Sequence, residues 1–96
     1  MHRLVVKPRA IRMATEAYNW YEERQSGLGE SFITELKYCY DKIRTWPEAY
    51  TQIKKDFRHI VLKTYPYVII FRIVGDDVVV YAVFHTSQNP RKKFKK

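Results

Sequence analysis

The chain has 96 residues, of which 46% are hydrophobic and 16% are aromatic, and its formal net charge is +8. This length provides one domain with a hydrophobic core of its own and excludes two such cores. The single cysteine, Cys39, excludes an intramolecular disulfide and a cysteine-rich zinc site, and the lack of a run of about 18 apolar residues excludes a membrane-spanning helix.

The positive charge is concentrated in the C-terminal half. Residues 1–48 carry 8 Lys and Arg against 7 Asp and Glu, a net +1, whereas residues 49–96 carry 10 against 3, a net +7. Such a surface attracts nucleic acid or an acidic protein segment, so charge alone does not choose between these partners. Residues 1–10 lack the apolar core of a signal peptide. The sequence therefore predicts a cytoplasmic protein without a membrane partner.

The first predicted elements are a short strand and a helix. Residues 2–7 are rich in β-branched side chains, and Pro8 ends this run because it lacks an amide donor. From Ala10 onward, apolar residues recur with the spacing of one helix face, and Met13 and Trp20 widen that stripe. The pattern predicts an amphipathic helix after the strand.

A second helix is predicted after a break. Residues 25–29 contain two of the three glycines in the chain, which interrupts the first helix. Apolar residues then return at helical spacing until Pro47, whose ring would clash with a preceding helical turn. The members of this second stripe are Phe32, Leu36, Cys39, Ile43 and Trp46. The two helices are therefore predicted to form a hairpin.

The remaining chain predicts an antiparallel sheet. After a polar connection over residues 48–56, residues 57–65, 67–74 and 78–85 have the composition and period of strands. A glycine and two aspartates separate the last two strands, which suits a tight hairpin. The predicted fold class is α+β, with an N-terminal strand at an edge of the sheet, a two-helix antiparallel hairpin and a three-stranded antiparallel meander. The whole chain forms one domain, and residues 90–96 are predicted to be a basic, mobile tail.

No local catalytic or cofactor motif is present in the sequence. It contains no glycine-rich phosphate loop, no His-Glu-x-x-His helix and no Gly-x-Ser-x-Gly turn, so we expect neither a cofactor nor a metal. His59 and His85 are weak candidates for a catalytic role, because imidazole can transfer protons near neutral pH. A lone histidine at a strand end is more often a structural hydrogen-bonding group, so the sequence leans against an enzyme.

Basic side chains are the candidates for binding a target. Arginine and lysine neutralise phosphates without needing a sequence motif, and those of the sheet and tail include Arg58, Lys63, Arg72, Arg91, Lys92 and Lys93. Arg72 stands among apolar strand residues, so its charge must reach a partner or an open face. Phe94 adds an apolar contact to the tail that solvation alone does not require. The alternative is an ordinary solvated basic face.

Two segments of the predicted sheet resemble a known family. Residues 57–72 read Phe-Arg-His-Ile-Val-Leu-Lys-Thr-Tyr-Pro-Tyr-Val-Ile-Ile-Phe-Arg, and residues 78–90 read Val-Val-Val-Tyr-Ala-Val-Phe-His-Thr-Ser-Gln-Asn-Pro. Together with the order of elements, they resemble the RelE/ParE superfamily of bacterial toxins over nearly the whole chain. The resemblance implies the toxin of a type II toxin–antitoxin pair, which joins a cognate antitoxin in a hetero-oligomer.

The ribonuclease branch of this superfamily cleaves messenger RNA on the ribosome, which requires an activated hydroxyl, a proton donor and cations around the phosphate. By resemblance, its two strand lysines fall on His59 and Val61, its two arginines fall on Val68 and Gln88, and its tyrosine falls on Phe94. Valine and phenylalanine neither transfer protons nor bind phosphate. The sequence therefore predicts that this set of catalytic groups is largely missing.

The ParE-like branch acts by binding DNA gyrase, and this sequence resembles that branch more closely. The resemblance implies that the target is bound by His85, Asn89, Pro90 and the basic residues up to Lys96. Gln88 departs from the arginine that many members carry. The leading prediction is a toxin that inhibits DNA gyrase by protein contact and binds its antitoxin through the helical hairpin and the sheet.

Two alternatives stay open at the level of the sequence. One is a divergent ribosome-dependent messenger RNA endoribonuclease, with the ribosome as its partner and His59 or His85 as its acid–base group. The other is a non-toxic basic module that binds nucleic acid or protein, and its affinity for nucleic acid would fall steeply as salt rises.

Overall fold

The computed structural model describes residues 1–87, in which two helices pack on one face of a five-stranded sheet. The elements are β1 (Arg3–Val6), α1 (Pro8–Arg24), α2 (Leu28–Thr45), a short 3-10 helix (Pro47–Ala49), β2 (Gln52–Lys54), β3 (Phe57–Val61), β4 (Tyr67–Val74) and β5 (Asp77–His85). The strand order is β1-β5-β4-β3-β2, with β1 parallel to β5 and the other neighbours antiparallel. The predicted α+β fold, with its helical hairpin, its meander and its edge strand, is confirmed.

Two segments differ from the prediction. The sequence predicts a polar connection without secondary structure over residues 48–56, whereas the structure has the end of the 3-10 helix and β2 there. A strand as short as β2 cannot display a period of two. The strand predicted to reach residue 65 ends at Val61. Beyond it, the backbone N–H of Thr64 donates to the Glu35 carboxylate of α2 at 2.8 Å and not to a neighbouring strand.

The turn between α1 and α2 is fixed by one carboxylate. Glu22 of α1 accepts hydrogen bonds from the backbone N–H groups of Gly27 and Gly29, each at 2.9 Å. These groups lie at the start of α2, where a helix has no internal acceptors for its N–H groups and where negative charge is favourable. Gly27 has a φ of +90°, a conformation that suits glycine. The break predicted between the helices is therefore a turn in which Glu22 of α1 caps the start of α2.

The main core lies between the helical hairpin and the sheet. Phe32 of α2 is fully buried there. Three tyrosine rings surround it, with centroids 5.1–5.5 Å away: Tyr21, Tyr65 and Tyr67. Tilted and edge-on contacts between aromatic rings are favourable. Because these ring contacts join both helices to the start of β4, Phe32 is the centre of the core.

Both tryptophans lie outside this core. The sequence places Trp20 and Trp46 in the apolar stripes, and both placements are wrong, because the side chains are 50% and 64% exposed. Trp20 directly precedes the buried Tyr21, and one residue turns a helix by about 100°, so the two side chains leave α1 in different directions. Trp46 follows the last residue of α2 and has left the helical conformation.

Tyr40 makes the stability of the fold depend on pH. Its hydroxyl is buried and has no hydrogen-bond partner among residues 1–87. Burial raises the pKa of Tyr40 from 10.0 to about 12, because the phenolate is poorly solvated. The neutral phenol therefore contributes stability that is present below pH 10.0 and is lost as pH rises to about 12. We expect a loss on the order of 2 kcal/mol, measured by urea unfolding across this window.

Substituting Tyr40 separates this effect from general alkaline unfolding. Tyr40→Phe removes a buried hydroxyl that lacks a partner, so it should raise the unfolding free energy at pH 7 by about 0.5–1 kcal/mol and reduce the alkaline loss. Tyr38→Phe is the matched control on the same helix, because Tyr38 is 62% exposed. If Tyr40→Phe lost as much unfolding free energy at alkaline pH as the unmodified protein, the loss would not come from the Tyr40 hydroxyl.

Candidate target-binding surface

The sheet has a second apolar surface on the side opposite the main core, called here the outer face, against which Met13 of α1 also packs. Its buried members are Val68, Ile70, Ala82 and Phe84. A bulge interrupts β5 at Tyr81, since Ile70 pairs with Ala82 whereas Phe71 pairs with Val80. A bulge re-aims the extra side chain. The Tyr81 side chain can therefore contact residues of the outer face.

Arg72 of β4 lies on the outer face in an aromatic setting. Its Nη2 donates a hydrogen bond to the Tyr81 hydroxyl at 3.0 Å, and its Nη1 lies 3.7 Å from a carboxylate oxygen of Asp56. The guanidinium carbon is 5.3 Å from the ring centre of Phe57 and 5.4 Å from that of Tyr81, distances that suit cation–π attraction. About a third of the side chain is exposed, at 34%. These partners and the open side therefore offset the cost of partly burying the Arg72 guanidinium.

Arg58 of β3 lies on the opposite side of the sheet from Arg72. It pairs with Phe71, which belongs to the main core. Its Nη1 donates to the carbonyl oxygen of Tyr50 at 2.7 Å and lies 3.4 Å from that of Glu48. These bonds tie β3 to the end of the 3-10 helix. The structure thus gives the Arg58 guanidinium a role in the fold and does not bring it next to Arg72.

The two candidate catalytic histidines lie on opposite faces. His59 pairs with Ile70 of the outer face, whereas His85 pairs with Tyr67, whose ring contacts Phe32 on the helix side. Residues directly opposite on neighbouring strands share a face. The structure therefore does not bring His59 and His85 together, and they cannot act as an acid–base pair on one substrate.

His85 has a defined orientation at the end of β5. The backbone N–H of Ser87 donates to His85 Nδ1 at 3.1 Å, and the Ser87 Oγ lies 2.7 Å from the same nitrogen. Because Nδ1 accepts the backbone N–H, the ring proton of the neutral imidazole is on Nε2. The ring also packs edge-on against Tyr67, with centroids 5.3 Å apart. His85 is thus held with Nε2–H as its remaining donor.

Three positions that the resemblance assigns to ribonuclease chemistry come together on the outer face. His59 and Val61 are on β3, and Val61 pairs directly with Val68 of β4. At the positions where ribonuclease chemistry needs cations around a phosphate, this chain therefore has two neighbouring valines, Val61 and Val68. The His59 imidazole does not replace those cations, and the Arg72 guanidinium on this face is already engaged by Tyr81 and Asp56.

Six predicted target-binding residues lie outside the described residues 1–87. They are Gln88, Asn89, Arg91, Lys92, Lys93 and Phe94. The predicted mobile tail over residues 90–96 also lies outside them. Within residues 1–87, no group of three or more His, Cys, Asp or Glu side chains is placed to hold a metal ion. No helix of that part of the chain is long and apolar enough to cross a membrane.

A groove opens beside His85, between α1 and the end of β5; it is called here the Trp20 groove. Its volume is about 600 Å³, within the usual range for binding sites. The lining is mostly apolar and aromatic, and includes Met13, Ala17, Trp20, Tyr67, Phe84 and His85. Glu16 is the charged lining residue from α1. The groove therefore lies between a predicted target-binding residue, His85, and a face of α1 that the sequence did not assign to target binding.

The family model described as the ParE toxin of the type II toxin–antitoxin system parDE matches residues 4–90. The chain belongs to the ParE toxin family. This match covers nearly the whole chain and confirms the resemblance to the RelE/ParE superfamily, on its ParE side. No curated protein matches this ParE-family chain significantly.

Solved toxin structures share the fold. The chromosomal ParDE system from P. aeruginosa aligns with a TM-score of 0.73 and 13% identity over 88% of this chain and 96% of that chain. The intact RelBE toxin–antitoxin complex of E. coli aligns with a TM-score of 0.68 and 18% identity over 93% of this chain and 100% of that chain. The isolated E. coli RelE toxin gives 0.67 and 17%, over 97% and 93%. At these identities the similarity is one of fold.

Sequence reasoning missed the Trp20 groove because it assigned Trp20 to the core. Charged residues one helical turn away on each side, Glu16 and Arg24, were the available signal, since they share its helix face. A tryptophan flanked in this way lies on the polar side of an amphipathic helix. The contact between this side of α1 and the end of β5 is tertiary, and the spacing of residues along the chain does not reveal it.

Proposed function

We propose that this ParE-family protein acts by binding DNA gyrase and not by cutting RNA. The observation that carries the proposal is the direct pairing of Val61 with Val68 on the outer face. Cleavage of a phosphodiester requires cations that stabilise charge on the phosphate and groups that move protons, and two valines do neither. Inhibition through protein contact has no such requirement.

The charge distribution supports a macromolecular target. Residues 49–96 carry a net +7, so the half of the chain that contains four of the five strands is attracted to acidic surfaces. Electrostatic attraction raises the rate of association and favours acidic partners, while apolar and aromatic contacts provide most of the affinity. The proposed binding surface combines the end of β5 with the basic residues that follow it in the sequence.

An antitoxin is the second proposed partner. The solved E. coli structures of similar fold include RelE bound to the antitoxin RelB and to a RelB peptide. In this chain, a groove of about 370 Å³ runs between α1 and α2 and is lined by Ile11, Ala14, Ile33 and Leu36, with Lys37 also lining it. Ile11 is 52% exposed there. An antitoxin segment with apolar side chains and acidic neighbours fits this groove.

Messenger RNA cleavage is the second candidate function. The fold similarity to RelE and the open position of the His85 imidazole in the Trp20 groove favour it. Cleavage through His85 would have to proceed without His59 and without Arg72, both of which lie on the other face of the sheet.

Induction in a bacterial host tests the proposal. The protein is expressed alone and together with the product of the gene next to it, and colony survival, DNA breaks and messenger cleavage are measured. We expect lost survival with DNA breaks, intact messengers and rescue by the neighbouring gene. His85→Ala is the matched variant for the second candidate. If messengers are cleaved and His85→Ala abolishes that cleavage, the protein is a ribonuclease and the gyrase proposal is wrong.

A further inference from the structure

We propose that two copies of this chain pair through α1, with the Trp20 ring of each copy placed against the Trp20 groove of the other. The proposal concerns self-association and does not depend on the proposed target. Trp20 is 50% exposed and lines a groove of about 600 Å³. Tryptophan is among the side chains that most often dominate protein interfaces, and the groove beside it provides a complementary apolar surface.

The Trp20 side chain is held in place before a second copy arrives. The Arg24 guanidinium lies 3.7 Å from the centre of the indole ring, and the ring of Tyr21 meets it edge-on at 5.2 Å. Because Tyr21 is buried in the core, these contacts connect an exposed ring to a rigid support. Pairing then costs little side-chain entropy at this position, which favours affinity.

Opposite charges flank Trp20 on the exposed side of α1. Glu16 precedes it by four residues and Arg24 follows it by four, so each lies about 6 Å from Trp20 along the helix axis. Both side chains are exposed, and neither has an ion-pair partner among residues 1–87. A partner that fits this face therefore presents a base opposite Glu16, an acid opposite Arg24 and an apolar surface between them.

A second α1 in antiparallel orientation presents that pattern. When a two-fold axis passes beside Trp20, the two Trp20 rings meet, and Glu16 of each copy faces Arg24 of the other. Helices packed at the usual distance of about 8–10 Å bring such long side chains within reach of each other. A two-fold interface uses the same patch on both copies and is the commonest form of self-association. The face is thus complementary to itself.

Net charge also favours α1 as the paired element. Each copy carries a net charge of +8, so two copies repel each other in most orientations. Helix α1 has no net charge, because it contains three arginines and three glutamates: Arg9, Arg12, Arg24, Glu16, Glu22 and Glu23. A strongly acidic or strongly basic partner gains no long-range attraction from such a helix. This face therefore fits a second copy better than a highly charged partner.

Trp20→Ala tests the pairing against Trp46→Ala, which removes an equally large and more exposed side chain at the end of α2. Sedimentation of the purified full-length chain is measured from about 1 to about 200 µM, since an interface built on one helix per copy is small. We expect the unmodified protein to dimerise within this range in about 0.15 M salt, which screens the repulsion between copies. Trp20→Ala should weaken the dimer by roughly 100-fold or more, because both copies lose the ring, and Trp46→Ala should change it little. Urea midpoints show that both variants are folded.

Charge reversal at Glu16 and Arg24 tests the antiparallel orientation. Glu16→Arg places two arginines opposite each other at both ends of the pair, and Arg24→Glu places two glutamates there. Each variant alone should therefore lose roughly 10-fold or more in dimer affinity. An equal mixture of the two variants has opposite charges at both ends, so it should form a mixed dimer more tightly than either variant pairs with itself.

The outcomes bear on the pairing alone. An unmodified protein that stays monomeric up to about 200 µM would overturn it, because interfaces of this size still form dimers at such concentrations. A dimer that Trp20→Ala leaves intact, or that both tryptophan variants lose equally, would show that α1 is not the interface. A mixture of the charge variants that stays monomeric would overturn the antiparallel arrangement. None of these measurements involves gyrase or growth arrest, so the proposed function stands or fails separately.

Discussion

Replacing Phe32 with alanine is expected to lower the free energy of unfolding by about 3–5 kcal/mol, the largest effect among the substitutions considered. Phe32 is fully buried. Its removal leaves a cavity between the rings of Tyr21, Tyr65 and Tyr67, which come from α1 and from the start of β4. Those rings are fixed by their own backbones and can fill the space only in part.

The loss is measured by urea unfolding at neutral pH. Domains of this size are stable by only about 5–15 kcal/mol, so Phe32→Ala should unfold at much lower urea concentration or fail to accumulate in cells. Tyr38→Ala is the control on the same helix, because that side chain is 62% exposed, and it should change stability by less than about 0.5 kcal/mol. Similar losses in the two variants would show that Phe32 is not the centre of the core.

Gly29→Ala is expected to cost about 2–3 kcal/mol, although alanine is normally the better residue in a helix. A Cβ at this position would lie 2.8 Å from both the backbone oxygen and a ring carbon of Tyr18, and 2.9 Å from a carboxylate oxygen of Glu22. The backbone oxygen belongs to α1 and cannot move without shifting that helix. Relief of the clash would also break the hydrogen bond from Gly29 N–H to Glu22.

The matched control for this position is Ser31→Ala, which places the same side chain on an exposed position of the same helical turn. Helix propensity should make Ser31→Ala neutral or slightly stabilising. Urea unfolding of both variants is compared with that of the unmodified protein. A Gly29→Ala protein as stable as Ser31→Ala would mean that the helices are not packed as closely as described.

The fold was predictable where the pattern of side chains was long and regular. The central strand runs from Tyr67 to Val74, the bounds predicted by its apolar pattern, which only Arg72 interrupts. The edge strand β2 was not predictable, because its three residues pair with β3 only through a local register shift. The cap of α2 by Glu22 was also invisible in the sequence, since the carboxylate comes from another helix.

The candidate site was predictable only in part. The sequence singled out His85, and the structure places it at the mouth of a groove. Arg58 could not be told apart from Arg72 by composition, yet one holds backbone carbonyls and the other lies between aromatic rings on the outer face. Trp20 was assigned to the core because a stripe of apolar residues does not reveal how wide its buried part is.

Supercoiling by purified DNA gyrase, measured beside the integrity of messenger RNA on translating ribosomes, distinguishes gyrase inhibition from RNA cleavage in one experiment. We expect the purified protein to stop supercoiling and to leave the messengers intact, and its antitoxin to restore supercoiling. Cleaved messengers with undisturbed supercoiling would contradict this expectation, because the apolar pair Val61 and Val68 would then have to be compatible with phosphodiester chemistry.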